Sequence, residues 1–368
     1  MKKFSLATAL YLSTAAFAFA DSNSLIITQA SVGAGAPSLN FTQSGSGALA
    51  SIIQNGNNAL TGVQVGTDGT KLNVDQENPT AGAVNTINYT GRGNSNTTVY
   101  QRASNGIFTA GGSAGNTANI DMSDNTISTL PNTLTLDQVG FNNKATAYSS
   151  FTGYSTFTTL RDNWQIAQYS DSAASGNTAQ VTNNGLHAGE ALLLVQQGGN
   201  VANISYVGGG GQSTGLTQTN TADNAAVGNT ANVLFGYNGF GSAIFSFTQT
   251  GTQNNLLANL GGTTVNYGMK GWQNGTGNQA TVTQNNSYLD GATGQDAVYQ
   301  TGNNNTATGT QNNTHNSIFT IQQNGNGNSA SVLQSGTSNV ASLTQQGNVN
   351  TASLTQSGTG ATAIIAQH

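Results

Sequence analysis

The sequence has no cysteine, only three prolines and very little charge. The absence of cysteine excludes a scaffold held together by disulfides. Charged residues make up 6% of the 368 positions, whereas about a quarter is usual in a globular domain. The formal net charge of −5 excludes the basic surface that binding of nucleic acid requires. No Asp, Glu, Lys or Arg follows Asp296, which indicates a surface that associates rather than one kept monomeric by charge.

Long apolar runs are also missing, apart from one near the N-terminus. Lys2 and Lys3 precede a largely apolar stretch over residues 4–17, and residues 18–20 read Ala-Phe-Ala. This pattern predicts a signal peptide over residues 1–20, with cleavage before Asp21. No later stretch approaches the roughly twenty apolar residues of a transmembrane helix. We therefore expect an exported chain that acts outside the cell.

Groups that could carry out catalysis or bind a metal are scattered along the chain. They are the three histidines His187, His315 and His368, and the acidic pairs Asp75 with Glu77 and Asp121 with Asp124. Isolated pairs of this kind are typical of solvated turns, where they also oppose pairing of sheet edges. A β-helical polysaccharide-degrading enzyme would need clustered carboxylates. The sequence therefore predicts no enzyme, no cofactor and no metal site.

The middle of the chain is richer in aromatic residues, and two interpretations are open. Exposed rows of rings could bind sugars or lipids, or the rings could stack as cross-strand pairs inside wider coils. The residues are Tyr148, Phe151, Tyr154, Phe157, Trp164, Tyr169, Phe235, Tyr237, Phe240, Phe245 and Phe247. We favour stacking.

The abundant residues are glycine, asparagine, glutamine, serine and threonine, and glutamine recurs with a period of 11. A disordered linker or an aggregation-prone polar tract would have a similar composition, but neither has a reason to keep a register. The period links Gln323, Gln334, Gln345, Gln356 and Gln367, then Gln300, Gln311 and Gln322, and then Gln273, Gln284 and Gln295. Such spacing is the signature of a structural repeat.

The residues between the glutamines recur as well, in the pattern Gln-x-Gly-x-x-Asn-x-Ala. The glycines of the pattern are Gly275, Gly302, Gly325, Gly336, Gly347 and Gly358, and the asparagines are Asn278, Asn305, Asn328, Asn339 and Asn350. Ala361 replaces the asparagine in the last copy. A glycine without Cβ suits a tight turn, so the pattern predicts a strand followed by a turn.

One repeat converts directly into geometry. Side chains alternate between faces along a strand, so Asn339, Ala341, Leu343 and Gln345 share one face and Val340, Ser342 and Thr344 share the other. Seven strand residues and a four-residue turn centred on Gly347 complete the period. The sequence therefore predicts an all-β fold, a cross-β solenoid with two strands per coil of roughly 22 residues, because two repeats close one coil.

Stacked coils would place identical amides above one another as hydrogen-bonded ladders. We expect the repeated Gln and Asn residues to form these ladders, with Gln345 between Gln334 and Gln356 or their facing equivalents. The regular repeats occupy residues 271–368. Residues 21–270 carry a degenerate version with irregular insertions.

The motifs resemble those of curlin, the subunit of the bacterial extracellular amyloid fibres called curli. The curlin pattern is Ser-x5-Gln-x-Gly-x-Gly-Asn-x-Ala-x3-Gln, and this chain reads Gln323-x-Gly325-x-Gly327-Asn328-x-Ala330-x3-Gln334. The resemblance is strong over residues 273–368, moderate over 23–64 and patchy between. The chain departs from the family in its length and in the replacement of Ser by Asn at most strand starts.

The resemblance implies a fibre subunit. It implies secretion through an outer-membrane pore, nucleated polymerisation of the chain with itself at the bacterial surface, and a role in adhesion and biofilm matrix. A nucleator subunit is a further implied partner. The alternative is a monomeric β-solenoid adhesin, or a surface-held nucleator of another subunit. A regular repeat that runs to the C-terminus without a polar cap favours polymerisation, because solenoids that stay monomeric need caps.

Overall fold

The structure is a computed structural model of the chain. It describes residues 24–30, 37–45, 49–56, 58–66, 71–78, 84–90, 95–102, 115–121, 123–125, 132–138, 140, 142–152, 163–170, 176–183, 190–207, 212–222, 225–237, 243–262, 267–285 and 295–368. The predicted signal peptide lies outside these residues.

The described residues form 28 β-strands in two parallel sheets. Sheet 1 contains β1 (Ser24–Ala30), β3 (Leu49–Gly56), β5 (Lys71–Asn78), β7 (Ser95–Arg102), β10 (Asn132–Leu136), β12 (Asn163–Tyr169), β14 (Glu190–Gln197), β16 (Gln212–Asn220), β18 (Ala243–Thr252), β20 (Tyr267–Thr276), β22 (Asp296–Thr301), β24 (Ile318–Asn324), β26 (Val340–Gln346) and β28 (Thr362–Gln367).

Sheet 2 contains the strands between them. They are β2 (Ser38–Gly45), β4 (Asn58–Gly66), β6 (Asn85–Tyr89), β8 (Thr117–Ala118), β11 (Lys144–Thr152), β13 (Thr178–Asn183), β15 (Val201–Val207), β17 (Thr230–Tyr237), β19 (Asn255–Gly262), β21 (Gln279–Asn285), β23 (Thr306–His315), β25 (Ser329–Thr337) and β27 (Thr351–Thr359). β9 (Ser123–Asn125) pairs with β11 beyond the end of β8.

The predicted fold class is confirmed. The chain alternates between the sheets, and each strand pairs in parallel with the next strand of its own sheet, which is a β-solenoid with two strands per coil. The helical structure in the described ranges is a short 3-10 turn at Ala225–Val227. No helix in this part of the chain is long and apolar enough to cross a membrane.

Coil length varies along the stack, whereas the strands pair in continuous register except for a bulge between Asn312 and Thr314 of β23. From β24 to β28, each paired residue of sheet 1 lies opposite the residue 22 positions later, as Ile318 does opposite Val340. Elsewhere the separation ranges from 21 residues, between Ser38 and Ala59, to 37 residues, between Ser95 and Asn132. The extra residues lie between strands, because inter-coil hydrogen bonds hold the strands in register.

The core is a thin layer between the two inner faces. In β26, Ala341, Leu343 and Gln345 are buried, whereas the alternating residues are half-buried or exposed. In wider coils the core contains aromatic rings. Phe245 packs edge-on against Phe235 with ring centroids 6.0 Å apart, and its ring is 6.3 Å from that of Phe247. These three rings therefore pack inside the coils, as the sequence led us to favour, whereas Tyr169 is 39% exposed.

Large and small residues complement each other across this layer. Phe319 stands where the next coil has Ala341, and its ring occupies the space that a side chain at Gly309 would fill. Phe41 covers Gly62 in the same way near the other end. The core volume of each coil is thus kept nearly constant, as dense packing requires.

Candidate assembly site

A glutamine ladder runs through all fourteen strands of sheet 1. Its rungs are Gln29, Gln54, Gln76, Gln101, Gln138, Gln168, Gln196, Gln218, Gln249, Gln273, Gln300, Gln323, Gln345 and Gln367. The predicted ladder contained Gln273, Gln300, Gln323, Gln345 and Gln367 of these rungs. It lacked the nine before them, among them Gln76, Gln168, Gln196 and Gln218. Each of these four follows a buried aliphatic residue by two positions, namely Val74, Ile166, Leu194 and Leu216, and this local pattern was available in the sequence.

From Gln218 to Gln345, the side-chain amide of each rung donates two kinds of hydrogen bond. From Gln218 to Gln367, Nε2 of each residue donates to Oε1 of the next rung at 2.7–2.9 Å. The same nitrogen donates to a carbonyl in sheet 2, as Gln323 does to Thr306 at 2.9 Å and Gln345 to Ser329 at 3.0 Å. The ladder therefore joins successive coils and also ties the two sheets together.

The ladder reverses its donor direction in the middle of the stack. Gln138, Gln168 and Gln196 donate toward the N-terminal neighbour. At the ends of this reversed run, Gln76 Nε2, Gln196 Oε1 and Gln218 Oε1 are buried without a hydrogen-bond partner in the described structure. The joints between β5 and β7 and between β14 and β16 thus lack the amide bond that the other joints have.

Four further predicted ladder residues lie in sheet 2, whereas Gln322 is exposed on the outer face of β24 in sheet 1 and Gln295 precedes β22. Gln284, Gln311, Gln334 and Gln356 occupy one column of sheet 2, and Gln334 donates to Gln356 at 2.9 Å. Toward the N-terminus the same column contains Leu260, Phe235, Tyr206, Asn183 and Ser149. Glutamines 11 residues apart therefore belong to facing sheets. Gln345 stacks between Gln323 and Gln367, not between Gln334 and Gln356.

An asparagine ladder marks the start of each sheet 2 strand from β4 onward. It runs through Asn58, Asn85, Asn116, Asn143, Asn177, Asn200, Asn229, Asn254, Asn278, Asn305, Asn328 and Asn350. From Asn85 onward, each Oδ1 accepts the backbone N–H of the next rung at 2.9–3.1 Å. Asn339 is not part of it. It lies on the opposite edge, between Ser317 and Ala361.

The six predicted turn glycines have positive φ angles of 93–127°. Gly275, Gly302, Gly325 and Gly347 form a column at one edge, and Gly336 and Gly358 stack at the other. A Cβ at Gly302 would collide with the carbonyl oxygen of Gly325. The turns therefore require glycine both for the backbone conformation and for the close approach of the next coil.

One charged side chain in the described structure is buried, that of Asp296. It points into the core from β22, where Gln284 donates to Oδ2 at 2.6 Å, and Gln311 and the Phe319 N–H donate to Oδ1 at 3.1 and 2.9 Å. Burial raises the pKa of the Asp296 carboxyl to about 7, although the hydrogen bonds from Gln284 and Phe319 oppose the shift. From sheet 1, the Asp296 carboxyl thus bonds to both Gln284 and Gln311 of the sheet 2 column and places a titratable group between them.

The described residues hold no group of three or more His, Cys, Asp or Glu side chains that could bind a metal. His315 lies at the end of β23, and His368 follows β28. His187 lies outside the described residues. What the structure brings together is instead a set of amide ladders and glycine columns, which can bond to another coil of the same kind.

A family model for the curlin associated repeat matches residues 315–347 and, in a second and overlapping match, residues 325–358. No curated protein matches the chain. The matched residues extend from the end of β23 through β27, where the coils have their regular 22-residue length. The resemblance to curlin that the sequence indicated is thereby confirmed over this C-terminal segment, which is similar to curlin-associated repeats.

Proposed function

We propose that this chain is a secreted structural subunit that polymerises into extracellular, curli-like amyloid fibres for adhesion and biofilm matrix. The curlin-associated repeats support a structural rather than an enzymatic role. A fibre of this kind grows when a strand edge pairs with the strand of another molecule. Self-association is therefore the central partner interaction, and a nucleator subunit and an outer-membrane secretion pore are the additional partners that the resemblance implies.

The observation that carries the proposal is the open C-terminal coil. The inward-facing Ala352, Leu354 and Ile365 pack against the core but remain only partly buried, whereas their equivalents one coil earlier are buried. Another coil on this face would bury them and extend both sheets. Burial of such side chains is worth roughly 1.5–3 kcal/mol each when complete.

The charge distribution also favours the C-terminal end as the place where another molecule stacks. The chain carries no Asp, Glu, Lys or Arg after Asp296, so like charges would not oppose stacking there. Low charge and ladders of identical amides are the features that stabilise cross-β assemblies. Strand β5, near the other end, contains Lys71, Asp75 and Glu77, which are less favourable for stacking.

The uneven coils favour a second candidate function, that of a monomeric adhesin or a surface-held nucleator. Between β5 and β14 the inter-coil separation in sheet 1 is 25 to 37 residues. These longer coils contain additional sequence that a minimal fibre subunit does not need. Such a protein would keep its fold but would not polymerise alone.

Electron microscopy and fibre diffraction of residues 21–368 after incubation distinguish the two functions. We expect fibrils with a reflection near 4.7–4.8 Å, the spacing between strands. Ile365→Asp, on the inner face of the last strand, should slow fibril growth strongly. Ile364→Asp is the matched control, because Ile364 is 77% exposed on the outer face. A chain that remains monomeric and folded would support the adhesin instead.

A further inference from the structure

At both ends of the solenoid, the same sheet extends beyond the other and leaves a step between the two sheet edges. Sheet 1 begins with β1 and ends with β28, whereas sheet 2 begins with β2 and ends with β27. Because the strands alternate between the sheets, sheet 1 extends half a coil beyond sheet 2 at both ends. Each end therefore has a raised edge, formed by β1 or β28, and a recessed edge, formed by β2 or β27.

Two copies stacked in the same orientation would not close this step. The raised edges β28 and β1 would meet, and β27 would face β2 across an empty strand position. Adjacent strands are about 4.8 Å apart, so that gap would be about twice as wide and would leave two rows of backbone groups unpaired. A half-turn about the solenoid axis instead places each raised edge over a recessed one.

The half-turn also preserves the pairing rules. Successive strands of a coil run in opposite directions, so a half-turn exchanges the two sheets and reverses the strands together, and all pairs stay parallel. The 11-residue repeat makes the two halves of a coil alike in inward-facing residues. A strand of sheet 1 can therefore stack on a strand of sheet 2 of another copy without a change of register.

We propose that successive copies of this chain in a fibre are related by a half-turn, with β1 of one copy paired with β27 of the preceding copy and β2 paired with β28. The binding surface is the stepped C-terminal end of the solenoid, and its partner is the N-terminal end of a second copy. This inference rests on the proposed function, since it specifies how the subunits polymerise.

Pro37 and Ala361 provide an independent reason for the half-turn. Ser38 pairs with Ala59, so Pro37 occupies the position that Asn58 has in the next coil. Proline has no N–H to donate to the asparagine of a preceding coil. In the half-turn register Pro37 follows Ala361, which has no side-chain acceptor. Without rotation Pro37 would lie over Asn350 across the empty strand position, and the Oδ1 of Asn350 would have no backbone donor above it.

The side chains at the two ends also complete each other in this register. Ile27, which is 44% exposed, would lie over Leu354, and Phe41 would lie over Ile365. Gln29 would lie over Gln356. Gln29 already donates to Gln54 at 2.7 Å, so its Oε1 is oriented to accept from the preceding copy, as each rung from Gln249 to Gln367 does.

Engineered cysteine pairs test the orientation, because the natural chain has no cysteine. The pair Thr28→Cys with Thr355→Cys is adjacent only after the half-turn, and the matched pair Thr28→Cys with Ala366→Cys is adjacent only without it. All three native side chains are exposed. Neighbouring strands bring Cα atoms within the roughly 4.4–6.8 Å that a disulfide spans. β1 and β27 lie at opposite ends of one copy, so the pair links copies only.

Fibrils of residues 21–368 are grown under reducing conditions, oxidised, dissolved and separated without reductant. We expect a ladder of covalent multimers from the Thr28–Thr355 pair and monomers from the Thr28–Ala366 pair. A second pair, Thr42→Cys with Ala366→Cys, should also give multimers, and it covers the case in which the first variant fails to assemble.

The outcomes separate this inference from the proposed function. Multimers from the Thr28–Ala366 pair alone would overturn the half-turn and leave the fibre intact. Fibrils without multimers from any pair would overturn end-to-end stacking of these strands. If the unmodified chain forms no fibrils, the proposed function fails, and the half-turn fails with it.

Discussion

The side-chain amide of a sheet 1 glutamine donates two hydrogen bonds, one to the next rung and one to the facing sheet. Gln345 donates to Gln367 at 2.8 Å and to the Ser329 carbonyl at 3.0 Å, and its Oε1 accepts from Gln323. A buried amide costs free energy unless it is bonded. Because every coil repeats the same amide, each one supplies the partner that the next requires, and the polar core becomes stable only when coils are stacked.

Gln345→Glu should destabilise the regular coils and slow assembly. The carboxylate keeps an acceptor but loses both donated hydrogen bonds and adds a buried charge, so we expect a loss of more than about 3 kcal/mol in the free energy of unfolding at pH 7. Thr344→Glu is the control, since Thr344 lies on the outer face, and its effect should stay within about 0.5 kcal/mol. Urea unfolding measures both losses. Equal losses would contradict the assignment of the two faces.

Asp296 should make the stability of the solenoid depend on pH. Its pKa is raised from 3.8 to about 7 in the folded chain, so the folded state binds the proton more tightly than the unfolded state. The stabilisation is complete below about pH 4 and is lost as the pH rises to about 7. Three pKa units correspond to about 4 kcal/mol.

Unfolding by urea between pH 4 and pH 8 measures this dependence. The unmodified chain should lose stability across the interval, and Asp296→Asn should remove most of the decrease because it cannot ionise. Asn also keeps an oxygen that can accept from Gln311 and from the Phe319 N–H. An unchanged pH profile in the variant would show that another group titrates.

At the scale of the element, the turn is what limits the spacing between coils. Gly325 and Gly358 both have positive φ, 126° and 99°. A Cβ at Gly325 would collide with the Gly347 carbonyl, whereas a Cβ at Gly358 would meet no described atom within 4 Å. The cost of the positive-φ backbone conformation and the cost of the collision with the next coil can therefore be separated by comparing substitutions at the two glycines.

Gly325→Ala should cost clearly more stability than Gly358→Ala. The left-handed conformation costs an L-residue roughly 1–2 kcal/mol at either site. At Gly325 the collision with backbone adds a further loss of about 1–3 kcal/mol, as overpacking does in a core. The free energies of unfolding of both variants provide the comparison. A loss at Gly358 as large as that at Gly325 would contradict the contact argument.

At the scale of the whole molecule, the solenoid is regular at one end and uneven elsewhere. The C-terminal coils keep a 22-residue period, and the chain has no charged residue after Asp296. Residues 68–92 include Asp68, Lys71, Asp75, Glu77, Pro79 and Arg92. Charge and proline both oppose cross-β stacking. Growth is therefore expected to begin at the C-terminal coils.

A peptide of residues 328–356 should form cross-β fibrils alone and seed the full chain. It contains all of β25 and all of β26, with Gln334, Gln345 and Gln356. A peptide of residues 68–92 should stay soluble in the same conditions. Thioflavin fluorescence and electron microscopy measure both. If the first peptide stays monomeric and deletion of residues 320–368 leaves the polymerisation rate unchanged, growth begins elsewhere.

Much of the fold could be predicted from local patterns in the sequence. The alternation around Leu343, the turn at Gly347 and the two-strand coil all follow from an 11-residue period, because strand faces and tight turns depend on neighbouring residues. Rungs such as Gln168 and Gln196 could not be placed by this period. They lie 30 and 58 residues after Gln138. The aliphatic residue two positions before each one indicates its inward face, but only pairing between coils reveals which rungs it contacts.

By itself, the sequence determined the strand, the inward face, the glycine turn and the likeness of each half-coil to the next. These properties are local, so they persist in every repeat. The tertiary structure alone decided which glutamines share a ladder, that insertions of variable length leave the register unchanged, that Asp296 is buried among amides, and that the first and last strands belong to the same sheet. Those properties depend on hydrogen bonds between residues about 12 to 37 positions apart, and no local pattern encodes which of these residues will pair.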